Sequence, residues 1–196
     1  MKNLYMFFVG GTAPGANIEI HDVQFAVVEK PEEAFAGIAN RWFADQELLH
    51  IDVIRRVNWV DGYDVTIGSG PSQGEARLFF VNMGGYFREE SFERHAFEVI
   101  AAKSEVEAKA IAKSRFFNDH EIPHRDFLMD IDGFLALDKV GEEHIHLIAN
   151  QYGAAELPSF QGYLKIGGNK FVYDETIDDL VHEDEARLRV EGIGNE

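Results

Sequence analysis

Residues 10–52 and 84–126 align without a gap at a shift of 74, and 13 of those 43 positions are identical. Composition alone would give roughly three matches. The shared residues include Gly10-Gly11 with Gly84-Gly85, Glu19 with Glu93, His21 with His95, Glu33-Ala34 with Glu107-Ala108, and Arg41 with Arg115. The run closes on Asp45, Glu47, His50 and Asp52, matched by Asp119, Glu121, His124 and Asp126. Upstream, MFFV at 6–9 echoes LFFV at 78–81. A chain written twice must build one supersecondary unit twice, so any reading of one copy constrains the other.

Each copy gives the same coarse pattern. A short apolar strand (4–9, 77–82) meets a Gly-Gly turn. A second strand follows, with Val23, Phe25 and Val27 alternating in the first copy and Phe97, Val99 and Ala101 in the second. A helix comes next: Pro31 suits its first position, and Ser104-Glu105-Val106-Glu107 is a capping-box pattern for the later one. Phe35, Ile38, Ala39 and Trp42 fall at helical spacing and make one apolar face. Val57 to Ile67 reads as a hairpin turning at Asp61-Gly62, and Leu135 to Ile148 as its counterpart turning at Gly141.

The expected fold is therefore α+β: a tandem β-β-α-β-β unit with its helix on one face of a largely antiparallel or mixed sheet. The first repeat spans 1–70, residues 71–76 within the run GSGPSQGEA form a linker, and the second repeat spans 77–149. Residues 150–196 form a C-terminal extension, with a hairpin around Gly167-Gly168-Asn169 and an acidic tail.

Charge narrows the partners. The formal net charge is −17, from five basic and ten acidic residues in 1–74, nine and fifteen in 75–149, and four and ten in 150–196. Acidity spread so evenly repels phosphate backbones and anionic lipid, so neither nucleic acid nor a membrane is an expected partner. The chain has no cysteine, which removes disulfides, thiol nucleophiles and thiolate metal ligands. The apolar run from Leu4 to Val9 is too short for a signal-peptide core or a membrane span, so a cytoplasmic location is expected.

Five stretches are weighed for chemistry. Gly10 to Asn17 follows a strand with G-x-x-x-x-G spacing, but the Lys and Ser/Thr of a phosphate loop are missing and Ile18-Glu19-Ile20 continues as a strand. A tight Pro-Gly turn is the simpler reading. His21-Asp22 lies where the alternation of the second strand changes phase, and His50-Ile51-Asp52 puts an imidazole and a carboxylate on one face of an extended segment. An Asp so placed can hold a His in the tautomer that a general base or a metal ligand needs. His120-Glu121-Ile122-Pro123-His124 matches the H-E-x-x-H letters of zinc peptidases, with Glu121 as the base. Pro123 opposes the helix such a site requires, and the first copy has Gln46 in the place of His120. His144 and His146 share a strand face, which reads first as solvated strand surface.

The stretches FFVGGTAPGANIEIHDVQFAV (7–27), LLHIDVIRRVNWVDGYDV (48–65), LFFVNMGGY (78–86), HIHL (144–147) and PSFQGY (158–163) resemble a family of small bacterial proteins defined by a domain of unknown function. The resemblance implies a duplicated α+β architecture and supplies no activity or catalytic residues. The preferred expectation is a non-enzymatic protein that binds a small ligand or a protein partner through Thr12, Asn17, His21, Asp22, His50 and Asp52, with no cofactor or bound metal and with a homo-oligomer allowed. The alternatives are a hydrolase, metal-dependent in one form, drawing on His21, His50, Asp52, His120 and His124, and an acidic interaction module without a pocket.

Overall fold

The strand Asn3–Gly11 (β1) is buried along nearly its whole length, as expected of a strand covered on both faces. It is followed by β2 (Ile20–Val28), a 3-10 turn at Pro31–Ala34, α1 (Phe35–Arg41), β3 (His50–Arg56), β4 (Trp59–Val60) and β5 (Tyr63–Gly68). The chain continues through β6 (Arg77–Gly85), β7 (Arg94–Ala102), α2 (Glu105–Asn118), β8 (Met129–Ala136), β9 (Lys139–Val140), β10 (Glu143–Ala149) and β11 (Phe160–Lys165). The structure is a computed structural model that describes residues 1–85, 91–118 and 129–168. Among these, no helix is long and apolar enough to cross a membrane.

The expected α+β fold, a tandem β-β-α-β-β unit with its helix on one face of a largely antiparallel or mixed sheet, is overturned. The described residues are mostly β, with their strands in three sheets ordered β11-β3-β1-β2, β4-β5-β10-β9 and β7-β6-β8. The helices have only seven and fourteen residues. The physical reason lies in the hairpins. Each was read as the last two strands of a β-β-α-β-β unit. Instead β5 pairs antiparallel with β10, from Tyr63 opposite Ala149 to Gly68 opposite His144. Hairpin edges left open would expose unpaired backbone groups, and joining the two edges satisfies both in one separate sheet.

The chain divides into two compact units. One comprises residues 7–24, 30–55 and 158 onward, and carries most of the β11-β3-β1-β2 sheet. Its core holds Phe7, Val9, Phe35, Ile38, Trp42, Leu49 and Ile51. Phe35, Ile38 and Trp42 are three of the four residues whose spacing predicted the apolar helix face, and Phe35 meets Phe7 edge-on at 6.4 Å. The expected C-terminal hairpin contributes one described arm: β11 pairs antiparallel with β3, Phe160 opposite Ile54 and Lys165 opposite His50. Its second arm lies outside the described residues.

The other unit comprises residues 1–6, 25–29 and 56–157. Here α2 lies on the β7-β6-β8 sheet through Ala108 and Ala112, which pack on Phe79, Val81, Met83 and Ile100. Ser104 Oγ accepts the Glu107 N–H at 3.2 Å, while the Glu107 carboxylate accepts the Lys103 N–H at 2.7 Å. The helix is thus capped from both directions, one residue wider than the usual box.

The turn between β4 and β5 does more than reverse the chain. Asp61 adopts φ 50°, a conformation Asp tolerates better than most residues. Its carboxylate accepts the Ala101 N–H at 3.1 Å and pairs with Arg115 at 2.6 Å, and Arg115 also reaches Glu98 at 3.1 Å. Burial opposes the charge on Arg115, but the hydrogen bonds to Asp61 and Glu98 outweigh it, so its pKa is raised. Asp61→Gly keeps the turn conformation and removes both links. It is expected to cost about 1–3 kcal/mol in urea denaturation, because the Arg115 charge and the Ala101 N–H lose a charged partner.

Candidate functional site

β2 and β3 each present a pair of chemically active residues two positions apart, so each pair shares one strand face. Glu19 precedes β2 and His21 lies within it, while His50 opens β3 and Asp52 follows on the same side. The fold brings the four together. His21 Nε2 lies 3.4 Å from Glu19 Oε2 and 3.2 Å from Asp52 Oδ2. His50 Nε2 lies 3.2 Å from Glu19 Oε1 and 3.3 Å from Asp52 Oδ1. Each carboxylate thus straddles both imidazoles, one oxygen to each.

The two histidines are held differently. The His50 side chain is only 2% exposed, against 34% for His21, 44% for Glu19 and 24% for Asp52, so the cluster has one buried anchor and an open rim. His50 Nδ1 lies 2.9 Å from the Leu48 carbonyl oxygen, which can only accept. The Nδ1–H must therefore donate there, and the neutral ring carries its lone pair on Nε2, toward the carboxylates. Tyr163 of β11 stacks on the His50 ring at 4.2 Å, and Phe8 stacks on His21 at 4.9 Å. Both rings are held in orientation by an aromatic neighbour.

Gly10 of β1 provides the space. A Cβ at that position would lie 2.5 Å from His50 Nε2 and 2.9 Å from His21, so any side chain would occupy the meeting point of the donors. Gly11 beside it packs under Trp42, whose indole N–H donates to the Asp45 carbonyl at 3.0 Å.

Of the residues picked from the sequence, His21, His50 and Asp52 come together. Thr12, Asn17 and Asp22 are not in the described cluster. Asp22 follows His21 on the opposite face of β2, and Thr12 accepts the Asp45 N–H through its backbone oxygen at 2.9 Å. Pro14-Gly15 forms a turn in which Ala16 N–H donates to Ala13 O at 3.0 Å and Gly15 takes φ 84°, as a type II turn requires. His120, Glu121 and His124 lie outside the described residues. His146 Nε2–H donates to the Gly70 carbonyl, 2.9 Å away, and the ring fills the space beside Gly68, which is a packing role. Sequence reasoning missed Glu19 as a site residue. Its signal was present in Glu19-Ile20-His21, an i, i+2 pair like His50-Ile51-Asp52 and repeated at Glu93 and His95.

Asp45 and Glu47, which precede His50 in sequence, do separate work. Asp45 Oδ1 accepts the Glu47 N–H at 2.8 Å, an Asx turn that leads the chain from α1 into β3.

Comparison with known proteins gives relatives and no activity. Residues 16–67, which hold all four cluster residues, match the family described as Domain of Unknown Function (DUF1543). A crystal structure of protein Il1583 from Idiomarina loihiensis is similar at 30% sequence identity and a TM-score of 0.65, covering 86% of this chain and 100% of that one. No curated protein matches.

Gly10→Ala is expected to push the two imidazoles apart and to destabilise the fold by about 1–3 kcal/mol, as overpacking at a filled position does. A thermal melt would show the loss, and the imidazole resonances of His21 and His50 would shift together. A melt and spectrum unchanged from the parent protein would contradict this geometry.

Proposed function

The chain belongs to the same family as Il1583 of Idiomarina loihiensis, a family with a domain of unknown function, and we propose that it binds a divalent transition-metal ion between β2 and β3. His21, His50 and Glu19 supply the donors, and Asp52 stands beside them as the outer carboxylate. One ligand atom from each of Glu19, His21 and His50 can be chosen so that all three lie within 4.8 Å of one another.

The observation that carries this reading is the way both Nε2 atoms face the same two carboxylates. A ring N–H points along a single line in the ring plane, so one proton cannot serve two carboxylates on different sides. The four N···O separations of 3.2–3.4 Å also exceed the 2.7–2.9 Å of a charge-assisted hydrogen bond. The two Glu19 separations, 3.4 Å to His21 and 3.2 Å to His50, lie near the edge of a tetrahedron around an ion whose donors are about 2.0–2.1 Å away, which is about 3.3–3.4 Å. Two imidazoles with carboxylate oxygen suit zinc and its first-row neighbours better than magnesium or calcium, which prefer oxygen alone.

With an ion bound, the three protein donors would leave a position for water, and Asp52, 3.2–3.3 Å from both Nε2 atoms, would stand near enough to act as its base. This arrangement supports metal-assisted hydrolysis as a second reading of the same site. It differs from the binding reading in one respect: Asp52→Asn would abolish turnover even at Zn2+ concentrations high enough to fill the weakened site.

Titration of the metal-free protein with Zn2+ against a chromophoric competitor tests the proposal. One tight ion per chain is expected. His50→Ala is expected to weaken it by at least about 100-fold, and Asp52→Asn by about 10–100-fold, the usual effect of a group next to the ligands. Equal affinity in the His50→Ala variant and the parent protein would overturn the assignment. So would failure of the parent protein to compete for Zn2+ at all.

A further inference from the structure

The unit built on β6, β7 and β8 carries a second cluster of related design. Glu93 and His95 flank and open β7 at the same i, i+2 spacing as Glu19 and His21. On the strand next to β6, β8 offers Asp132, and Asp130 lies opposite Gly84 in the ladder. The gapless sequence alignment had matched His50 and Asp52 with His124 and Asp126. The described strand with the equivalent neighbours, β8 beside β6 as β3 lies beside β1, begins later.

We infer that Glu93, His95 and Asp132 form a second, independent divalent-cation site, richer in oxygen and more open than the first. His95 Nδ1 lies 3.2 Å from Asp132 Oδ2, and His95 Nε2 lies 3.6 Å from Glu93 Oε2. One ligand atom from each of the three can be chosen within 4.8 Å of the others, so a single ion can reach all of them.

Gly84 makes the same provision as Gly10. A Cβ there would overlap Asp132 Oδ2 and lie 2.7 Å from Glu93 Oε1, so the absence of a side chain leaves room where the oxygens converge. Two strands in different parts of the chain thus each give up a side chain beneath a Glu-x-His pair and an aspartate. This correspondence is separate from the donor distances.

The two clusters differ in donor chemistry. Replacing one imidazole with carboxylate oxygen shifts preference from zinc toward harder ions such as manganese. All three side chains are also at least one-third exposed, at 52% for His95, 34% for Glu93 and 36% for Asp132. Among the described residues, no backbone carbonyl holds the His95 ring as Leu48 holds that of His50. The site is therefore expected to bind more weakly and to leave several coordination positions to water.

Mn2+ is the probe, counted by loss of the free-ion signal in electron paramagnetic resonance. The experiment uses the full chain carrying His50→Ala, so that the first site is removed. This variant is expected to bind one Mn2+. Adding Asp132→Asn, or separately Glu93→Gln, is expected to weaken it by at least about tenfold. Both substitutions are isosteric and at exposed positions, and a melting curve matching that of the His50→Ala protein confirms an intact fold. Mn2+ binding unchanged by either substitution overturns the proposal, as does absence of Mn2+ binding in the His50→Ala protein. Failure of the first site would instead show in the Zn2+ titration of His50→Ala, which leaves Glu93, His95 and Asp132 untouched.

Discussion

The antiparallel pairing of β5 with β10 is the constraint from which the architecture follows. Each of these strands ends a hairpin that cannot close its own hydrogen-bonding edge. β5 uses β4 on one side and β10 on the other, and β10 uses β5 and β9. The side chains reinforce the ladder. Asn150 donates to both Asp64 oxygens at 2.9 and 3.0 Å, and Trp59 donates to the Asn150 carbonyl at 2.8 Å. With both hairpins committed to this sheet, β1, β2 and β3 must find their fourth strand elsewhere, and β11 provides it.

Much of the local structure was legible because it depends on neighbours in sequence. The turn at Asp61-Gly62, the Pro14-Gly15 turn, the cap at Ser104 and the buried face of Phe35, Ile38 and Trp42 were all written in short windows. The partners of β5 and β11 were not, because strand pairing is decided by edges far apart in the chain. An alternating pattern says that a strand has a buried face and does not say which strand lies beside it. The α+β expectation failed at that step: helices of seven and fourteen residues gave clear signals, and strands of two to nine residues gave weaker ones for a larger share of the fold.

The candidate site shows the same division. His21, His50 and Asp52 were visible as residues able to act together, but their meeting required β2 and β3 to flank β1, with Gly10 between them. Glu19 completes the cluster from just before β2. The H-E-x-x-H letters, the most suggestive string in the sequence, drew attention to the second copy. The clustered residues Glu19, His21, His50 and Asp52 are arranged across strands, where no single string can spell them. A search for pairs two residues apart, matched to a glycine on a third strand, would have reached them sooner.

The pairing of β11 with β3 has a consequence for the order of assembly. Phe160 faces Ile54, so more than half of the chain separates two adjacent strands. Long-range pairing of this kind slows folding, since a large loop must close before its contacts form. During synthesis the outer edge of β3 stays without this partner until residues 160–165 have left the ribosome, and Tyr163 cannot cover His50 before then. The buried imidazole at the heart of the first cluster is therefore among the last parts of the molecule to be enclosed, although its own residues are made early.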